Sequence, residues 1–183
     1  MIEVFTDGAC QGNPGPGGWA WAIAPEGVVF GSGGAKHTTN QRMEMTAVLE
    51  ALRTVQGDAI TIVSDSTYVV HCFRDRWYVK WQSNGWKNSK KEPVANADLW
   101  KPLIELVLER KPAFRWVKGH SGNPMNELVD RLAVAAANGR WKWPNNWLRQ
   151  AFREPTRARS SIGSVFWNWC RRTRRLRARS QPA

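Results

Sequence analysis

The fold is decided near the start of the chain by residues 2–8, Ile2-Glu3-Val4-Phe5-Thr6-Asp7-Gly8. Alternate side chains of a strand point to opposite faces, and this alternation ends at Asp7, before a run of glycines. Residues 60–65, Ile60-Thr61-Ile62-Val63-Ser64-Asp65, repeat the pattern as a β-branched run that again ends in an aspartate. Because open α/β sheets bind ligands at the carboxyl ends of their strands, two such neighbouring strands would bring two carboxylates together.

The net charge of the chain is concentrated at one end. The whole 183-residue sequence carries a formal charge of +12. Residues 1–139 hold 15 Lys and Arg against 14 Asp and Glu, a net of +1, whereas residues 140–183 hold 12 against 1, a net of +11. The length suits one well-packed domain with little left over. We therefore expect a domain over residues 1–139 and a separate basic extension over residues 140–183.

The cysteines and the hydropathy pattern indicate a cytoplasmic protein. Cys10, Cys72 and Cys170 are odd in number and widely spaced, which favours neither a disulfide framework nor a zinc site. The sequence shows no basic region followed by an apolar one at its start, and no uncharged apolar run approaches the length of a membrane span. We expect a reducing compartment, without secretion or membrane insertion.

Periodicity and turn residues predict the remaining elements. The Gly- and Pro-rich residues 8–18 predict a loop. Short strands are predicted at residues 19–23 and 28–30, joined by a turn at 25–27, and a fifth strand at 114–118. Helices are predicted to follow capping residues or a first-turn proline; they cover residues 41–52, 67–73, 77–81, 97–109 and 125–136.

Two further acids fall on or beside the apolar stripes of predicted helices. Glu44 precedes Val48 and Leu52 at helical spacing, which places it on the buried face, and Asp130 borders the stripe of the last helix. A buried acid is costly unless it is compensated; a frayed first turn that exposes Glu44 to water is the simpler alternative. Four converging acids would repel one another, and divalent cations such as Mg²⁺ or Mn²⁺ resolve this because they prefer carboxylate oxygens.

Five ordered motifs resemble those of type 1 ribonuclease H. They are TDGACQGNPGPGGW at residues 6–19, TTNQRME at 38–44, SDS at 64–66, WVKGHSG at 116–122 and NELVD at 126–130. The resemblance covers residues 1–138. It implies an α/β, ribonuclease H-like mixed five-stranded sheet flanked by helices on both faces. It also implies an endonuclease that hydrolyses the RNA strand of RNA–DNA hybrids by a two-metal-ion in-line mechanism, giving 3′-hydroxyl and 5′-phosphate products.

The same resemblance implies roles for individual residues. The ligands of two catalytic Mg²⁺ ions, with Mn²⁺ as an alternative, would be Asp7, Glu44, Asp65 and Asp130. His120 would assist catalysis through proton transfer or product departure. The residues facing the RNA strand near its 2′-hydroxyls would be Cys10, Asn13, Asn40, Gln41 and Glu44. Those serving the DNA strand would be Thr39 and Asn96, which hold a phosphate, and Trp77 and Trp81, which border a channel beside the lysines near Trp86.

Two positions depart from the family pattern. Thr67 stands where many bacterial relatives carry Gln, which weakens one expected hydrogen bond to the substrate. His37 replaces a common arginine beside the phosphate pocket, so binding of the DNA strand is expected to be weaker or dependent on pH. From composition alone, the aromatics interleaved with lysines near Trp86 are equally typical of a small hydrophobic satellite.

Several alternatives remain open at this level. A non-catalytic hybrid-binding module or a DNA-directed nuclease of the same fold would be the rival functions, and we expect a monomer. The extension contains five tryptophans among eleven arginines and one lysine. It is expected to bind nucleic acid, to lie on an anionic membrane surface as an amphipathic helix, or to be a disordered basic tail. The apolar stripe of that helix would be Ile162, Val165, Phe166, Trp169, Thr173 and Leu176.

Overall fold

The computed structural model of the protein describes residues 1–139. The predictions for the extension at residues 140–183 lie outside the described residues. Within the described part, five strands and five helices follow one another in the order β1 (Ile2–Cys10), β2 (Gly15–Ile23), β3 (Phe30–Thr38), α1 (Asn40–Thr54), β4 (Ile60–Ser64), α2 (Thr67–Arg74), α3 (Trp77–Ser83), α4 (Ala97–Arg110), β5 (Ala113–Trp116) and α5 (Pro124–Ala137).

The strands form a mixed five-stranded sheet in the order β3-β2-β1-β4-β5. β1 pairs antiparallel with β2 and parallel with β4, and β5 is parallel to β4. The register pairs Thr6 of β1 with Ser64 of β4. Because Asp7 and Asp65 each follow one of these paired residues, they emerge side by side at the same end of the sheet. The predicted sheet and the predicted meeting of the two acids are both confirmed.

Two hydrophobic cores cover the two faces of the sheet. Val4 and Ile62 belong to one core together with residues of α1, α2 and α4, whereas Phe5 and Val63 belong to the other together with residues of α5. Neighbouring residues of β1 and β4 thus enter different cores, as the two-residue period of a strand requires. The expectation of helices on both faces is confirmed. Within residues 1–139, no helix combines the length and apolar character needed to cross a membrane.

Glycines let the two main helices approach the sheet backbone. A Cβ atom on Gly8 of β1 would lie 2.2 Å from the amide nitrogen of Glu44 in α1. A Cβ on Gly18 of β2 would lie 2.2 Å from the carbonyl oxygen of Ala133 in α5. Both distances are far below van der Waals contact. The glycines therefore set how closely α1 and α5 pack, and Gly8 brings Glu44 close to β1, beside Asp7.

Two predictions in the first hairpin region are wrong. The predicted loop at residues 8–18 shrinks to 11–14, because Gly8–Cys10 pair with Gly17–Trp19 and extend β1 and β2. The third strand covers Phe30–Thr38 rather than residues 28–30. Its glycines hid the strand from the sequence pattern, yet they accommodate tryptophan rings of β2: Cβ atoms on Gly31 and Gly33 would lie 2.6 and 2.7 Å from the rings of Trp21 and Trp19.

Gly8→Ala is expected to destabilise the protein by at least about 3 kcal/mol, since the added methyl group meets backbone rather than a movable side chain. Gly85→Ala is the matched control. Gly85 has φ +73°, and a methyl group added there would have no atom within 4 Å, so only backbone strain of about 1–2 kcal/mol applies. Urea unfolding of both variants measures the difference. Equal losses of stability would contradict the close approach of α1 to β1.

Candidate active site

Four acids meet in one open pocket of about 380 Å³ near the carboxyl ends of β1 and β4: Asp7 of β1, Glu44 of α1, Asp130 of α5, and Asp65 directly after β4. The pocket is lined by Asp7, Gly8, Ala9, Cys10, Asn40, Glu44, Asp65, Gly119, His120 and Asp130. These include every acid that the sequence singled out, together with His120. None of the described residues lining the pocket is Lys or Arg. The acids therefore face one another without a lysine or arginine between them.

Asp7 is the most buried of these acids, with 8% of its surface exposed. Its Oδ1 accepts a hydrogen bond of 2.7 Å from the Gly8 amide. Burial, together with the negative charges of Asp65, Asp130 and Glu44, raises the pKa of this carboxyl from an ordinary 3.8 to about 8, against the opposing effect of the Gly8 amide. The pocket thus disfavours a fourth negative charge unless a cation accompanies it.

Glu44 is half-buried in the first turns of α1 and is held at both carboxylate oxygens. Asn40 donates to Oε1 at 2.9 Å, and the Ser66 hydroxyl donates to Oε2 at 2.5 Å. The Ser66 oxygen also accepts the Val69 amide and so caps α2. Burial raises the pKa of Glu44, while the bonds from Ser66 and Asn40 oppose that rise. The alternative of a frayed first turn is wrong, because α1 is formed from Asn40 and capped by Thr39.

Asp65 lies just beyond the end of β4 and has contacts on its backbone and its side chain. Its Oδ2 accepts a hydrogen bond of 3.0 Å from the Asn126 amide, and its carbonyl oxygen accepts one of 3.0 Å from the Trp116 indole. A Cβ on Gly119 would lie 2.6 Å from Oδ2. The glycine of the loop after β5 thereby leaves room for the carboxylate.

The other two predicted catalytic residues approach the pocket from α5 and from the loop before it. Asp130 is half-buried on α5, and its negative charge contributes to the raised pKa of Asp7. His120 is exposed and has φ +50°, a left-handed conformation that few side chains adopt. The loop carries the imidazole to the acidic pocket, which His120 lines.

The donor chemistry of the pocket fits a divalent cation. All four acids offer hard oxygen ligands, and burial, together with the charges of the other three acids, raises the pKa of Asp7. In the described part of the chain, no group of three or more His, Cys, Asp or Glu side chains forms a ready-made metal cage. What fits a divalent cation is the chemistry of the donors, since hard cations prefer carboxylate oxygens.

The residues predicted to face RNA surround one side of the pocket. Cys10 donates to the carbonyl oxygens of Gly15 and Thr38, at 3.5 and 3.4 Å. Asn13 Oδ1 accepts the backbone amide of Asn40 at 3.3 Å, which ties the loop at residues 11–14 to the start of α1. Gln41 is exposed in the first turn of α1. Cys10 and Asn40 line the pocket, while Asn13 and Gln41 lie beside these residues.

Arg42 links the two residues predicted to hold a DNA phosphate. Its backbone amide donates to Thr39 Oγ1 at 3.4 Å, and its guanidinium donates to Asn96 Oδ1 at 3.3 Å. Asp98 holds the same guanidinium through bonds of 2.9 and 2.6 Å. Asn96 directly precedes α4 at φ +58° and makes no side-chain capping bond to the helix. Its oxygen serves Arg42 instead.

The tryptophans predicted to border the DNA channel pack on one another and on the core. The Trp81 ring lies 6.4 Å from the Trp77 ring and 5.5 Å from the buried Trp100 ring. Trp86 adjoins Trp81 at 6.2 Å and carries the Lys101 ammonium 5.2 Å above its ring. Trp77, Trp81 and Trp86 thus form a cluster that packs against the main hydrophobic core. The cluster is rimmed by exposed Lys80, Lys87, Lys90 and Lys91.

The sequence pattern assigned no site role to Asn126, Trp116, Arg42 or Ser66. All four lie inside the quoted motifs, which was the available signal. Their partners are remote in the chain; Asn126 and Asp65 are 61 positions apart. Such contacts became visible only with the fold.

Known proteins share this fold and these motifs. Residues 1–138 match the sequence model of the family described as RNase H. The ribonuclease H of Nitratidesulfovibrio vulgaris (strain DP4) is 49% identical over 141 residues, covering 76% of this chain and 90% of the relative. That of Syntrophomonas wolfei is 50% identical over 135 residues, covering 72% and 92%. The crystal structure of LC9-RNase H1, a type 1 RNase H with the type 2 active-site motif, is similar with a TM-score of 0.65 and 30% identity, covering 83% of this chain and 81% of that one.

The matched fold and motifs define a ribonuclease-type enzyme. The chain belongs to the RNase H family, and the resemblance to type 1 ribonuclease H found in its sequence is confirmed. Dependence on a divalent metal is a property of this family, and it agrees with the oxygen donors and the mutual repulsion in the pocket.

Asp7→Asn is expected to stabilise the metal-free protein at pH 8 by roughly 1–3 kcal/mol. Between an unfolded pKa of 3.8 and a folded pKa of about 8, the folded carboxyl keeps a proton that the unfolded chain has lost, so stability falls as pH rises through this window. Asparagine does not ionise, so the variant should not lose this part of its stability as the pH rises. Urea unfolding at pH 5 and pH 8 with a chelator measures it.

Asp58→Asn is the control. Asp58 is exposed and lies just before the start of β4, at the end of the strand opposite to the pocket. Its unfolding free energy should change little at either pH. Added Mg²⁺ should stabilise wild type more than Asp7→Asn. A stability gain in both variants, or in neither, would contradict the pocket electrostatics.

Proposed function

We propose that the protein is an endonuclease that hydrolyses the RNA strand of RNA–DNA hybrids. The observation that carries the proposal is the meeting of Asp7, Glu44, Asp65 and Asp130 in one pocket without a Lys or Arg among its described lining residues. The motifs around these acids, and relatives named ribonuclease H at about half identity, support the same activity.

We propose Mg²⁺ as the metal, with two ions per site and Mn²⁺ as an alternative, held by the four acids. When bound, such ions activate an attacking water and stabilise the leaving 3′ oxygen of an in-line displacement, which gives 3′-hydroxyl and 5′-phosphate products. The chain's own residues hold the carboxylates: the Gly8 amide orients Asp7, the Asn40 and Ser66 donors orient Glu44, and the Asn126 amide orients Asp65.

His120 is proposed to hold or release a proton at the rim of the pocket and to speed product departure. Its exposed loop position suits a group that must exchange protons with water and then move away. The acids carry the larger share of catalysis, because charge stabilisation outweighs a single proton relay in this chemistry. In this scheme no side chain forms a covalent intermediate.

Selectivity for RNA is proposed to rest on contacts with 2′-hydroxyl groups, the feature that distinguishes RNA from DNA. The side chains offered for this are Cys10, Asn13, Asn40, Gln41 and Glu44. The DNA strand would be held at a phosphate by Thr39 and Asn96, which Arg42 joins, and would follow the tryptophan cluster of Trp77 and Trp81.

The test is a cleavage assay on labelled RNA–DNA, RNA–RNA and DNA–DNA duplexes, with Mg²⁺ present and with Mg²⁺ chelated. Only the RNA strand of the hybrid should be cut, and only with the metal. Asp7→Asn should reduce turnover by at least about a thousandfold while hybrid binding persists, because it removes a ligand charge without changing shape. Deoxynucleotides flanking the scissile bond should suppress cutting there.

The rival functions give different results in the same assay. A non-catalytic hybrid-binding module would bind the hybrid and leave it intact under every metal condition. A DNA-directed nuclease would cut the DNA–DNA duplex. Metal-dependent cleavage that survives in Asp7→Asn would exclude Asp7 from the site.

We further propose that residues 1–139 form the catalytic domain of a cytoplasmic monomer and that residues 140–183 form an appendage that binds nucleic acid. The charge distribution supports this, since a net of +11 resides in the last 44 positions together with five tryptophans. Arginine pairs with phosphates, and tryptophan rings stack on bases.

Deletion of residues 140–183 is expected to spare turnover at saturating substrate and to weaken hybrid binding at low salt. The slope of log affinity against log salt should become shallower by roughly 0.7–0.9 for each phosphate that the shortened protein no longer neutralises. Fluorescence anisotropy of a labelled hybrid at several salt concentrations measures both quantities. Identical slopes would exclude a phosphate-binding appendage, and binding of anionic vesicles by the full chain alone would then favour the membrane-surface alternative.

A further inference from the structure

Trp116 occupies an unusual place for a large aromatic side chain. It is the last residue of β5, an edge strand of the sheet, and 45% of its surface is exposed. Its indole Nε1–H nevertheless has a defined partner, the backbone carbonyl oxygen of Asp65 at 3.0 Å. An exposed indole at the sheet edge is therefore bonded to the backbone of one of the four pocket acids.

This bond lies just past the end of the β4–β5 ladder. Ser64 pairs with Trp116, and the Val117 amide donates to the Ser64 carbonyl at 3.1 Å. β4 ends at Ser64, so Asp65 stands beyond the regular strand. The indole thus supplies to Asp65 a hydrogen bond of the kind that the ladder supplies to the residues before it. It extends the fixed part of β4 by one residue, up to the acid.

The same indole stands at the base of the loop that carries His120. Gly119, three residues after Trp116, packs against Asp65 so closely that a Cβ would lie 2.6 Å from Oδ2. Asn126, just beyond the far end of this loop, donates to the same oxygen at 3.0 Å. Asp65 is therefore held by its backbone at Trp116 and by its carboxylate at Asn126, with the glycine between them.

We infer that Trp116 is a positioning residue, whose indole N–H fixes the backbone of Asp65 so that the carboxylate meets a divalent cation beside Asp7. The effect on catalysis that this inference predicts rests on the proposed function of the pocket. The hydrogen bond, rather than the bulk of the ring, performs this role. A ring with nearly half of its surface in water contributes less burial than a core aromatic would.

Two substitutions separate the effect of the N–H donor from the effect of the aromatic ring. Trp116→Phe keeps an aromatic ring and removes the N–H. Trp116→His loses the larger ring, but the Nε2–H of neutral histidine corresponds to the indole Nε1–H in its distance along the side chain from Cβ. A positioning role predicts that Trp116→His keeps Mg²⁺ binding and that Trp116→Phe weakens it, whereas a packing role predicts the reverse.

The experiment titrates the full-length, metal-free protein with Mg²⁺ alone at pH 8, by calorimetry or by NMR shifts, for wild type and both variants. Trp116→Phe should weaken Mg²⁺ binding roughly 3- to 10-fold, the size of effect that one neutral hydrogen bond supplies, and Trp116→His should stay within about twofold of wild type. The Mg²⁺ concentration for half-maximal cleavage should rise in parallel, with KM for the hybrid little changed. Thermal unfolding of each variant reports its fold.

An unchanged Mg²⁺ affinity in Trp116→Phe, or an equal loss in both variants, overturns the inference. A loss in Trp116→His with wild-type behaviour in Trp116→Phe also overturns it, because the ring would then be what matters. If wild type binds Mg²⁺ but cuts no hybrid, the proposed function fails while the Mg²⁺ titrations still decide the role of Trp116.

Discussion

Four carboxylates share one pocket and repel one another, and the surrounding structure must hold them in place against that repulsion. At Asp7 the repulsion adds to the effect of burial, and the two together raise the pKa of this carboxyl to about 8. The described neighbours respond with neutral donors rather than cations: a backbone amide at Asp7, an amide and a hydroxyl at Glu44, and an amide at Asp65. Neutral donors fix the carboxylates in place without cancelling their charge, which leaves that charge available to a metal.

The packing of the helices follows from the same need. Glu44 comes close to β1 beside Asp7 because Gly8 lets the backbone of α1 approach the strand, and Gly119 leaves space for the Asp65 carboxylate. Ser66 joins two functions, since its hydroxyl caps α2 and donates to Glu44. Residues that look like ordinary turn, cap or glycine positions therefore carry the geometry of the site. Substitutions at them should act on the acids as well as on stability.

Much of the site was accessible from sequence because its residues stand where periodic patterns stop. Asp7 and Asp65 end β-branched runs, Glu44 interrupts an apolar helical stripe, and the motifs around them are distinctive in order and composition. Helix positions were predicted well because apolar spacing and capping residues are local signals. β3 was not, since its glycines carry no strand preference and are stabilised by the tryptophan rings of the neighbouring strand.

The sequence by itself determined the family, the α/β class and the acids, because these depend on local pattern and on motifs. Only the tertiary structure decided what holds the acids. The bonds from Asn126 and Trp116 to Asp65 join positions 61 and 51 residues apart, and the bond from Ser66 to Glu44 spans 22. Such partners are set by strand register and by helix packing, and in a strand a shift of a single residue would turn every side chain to the other face.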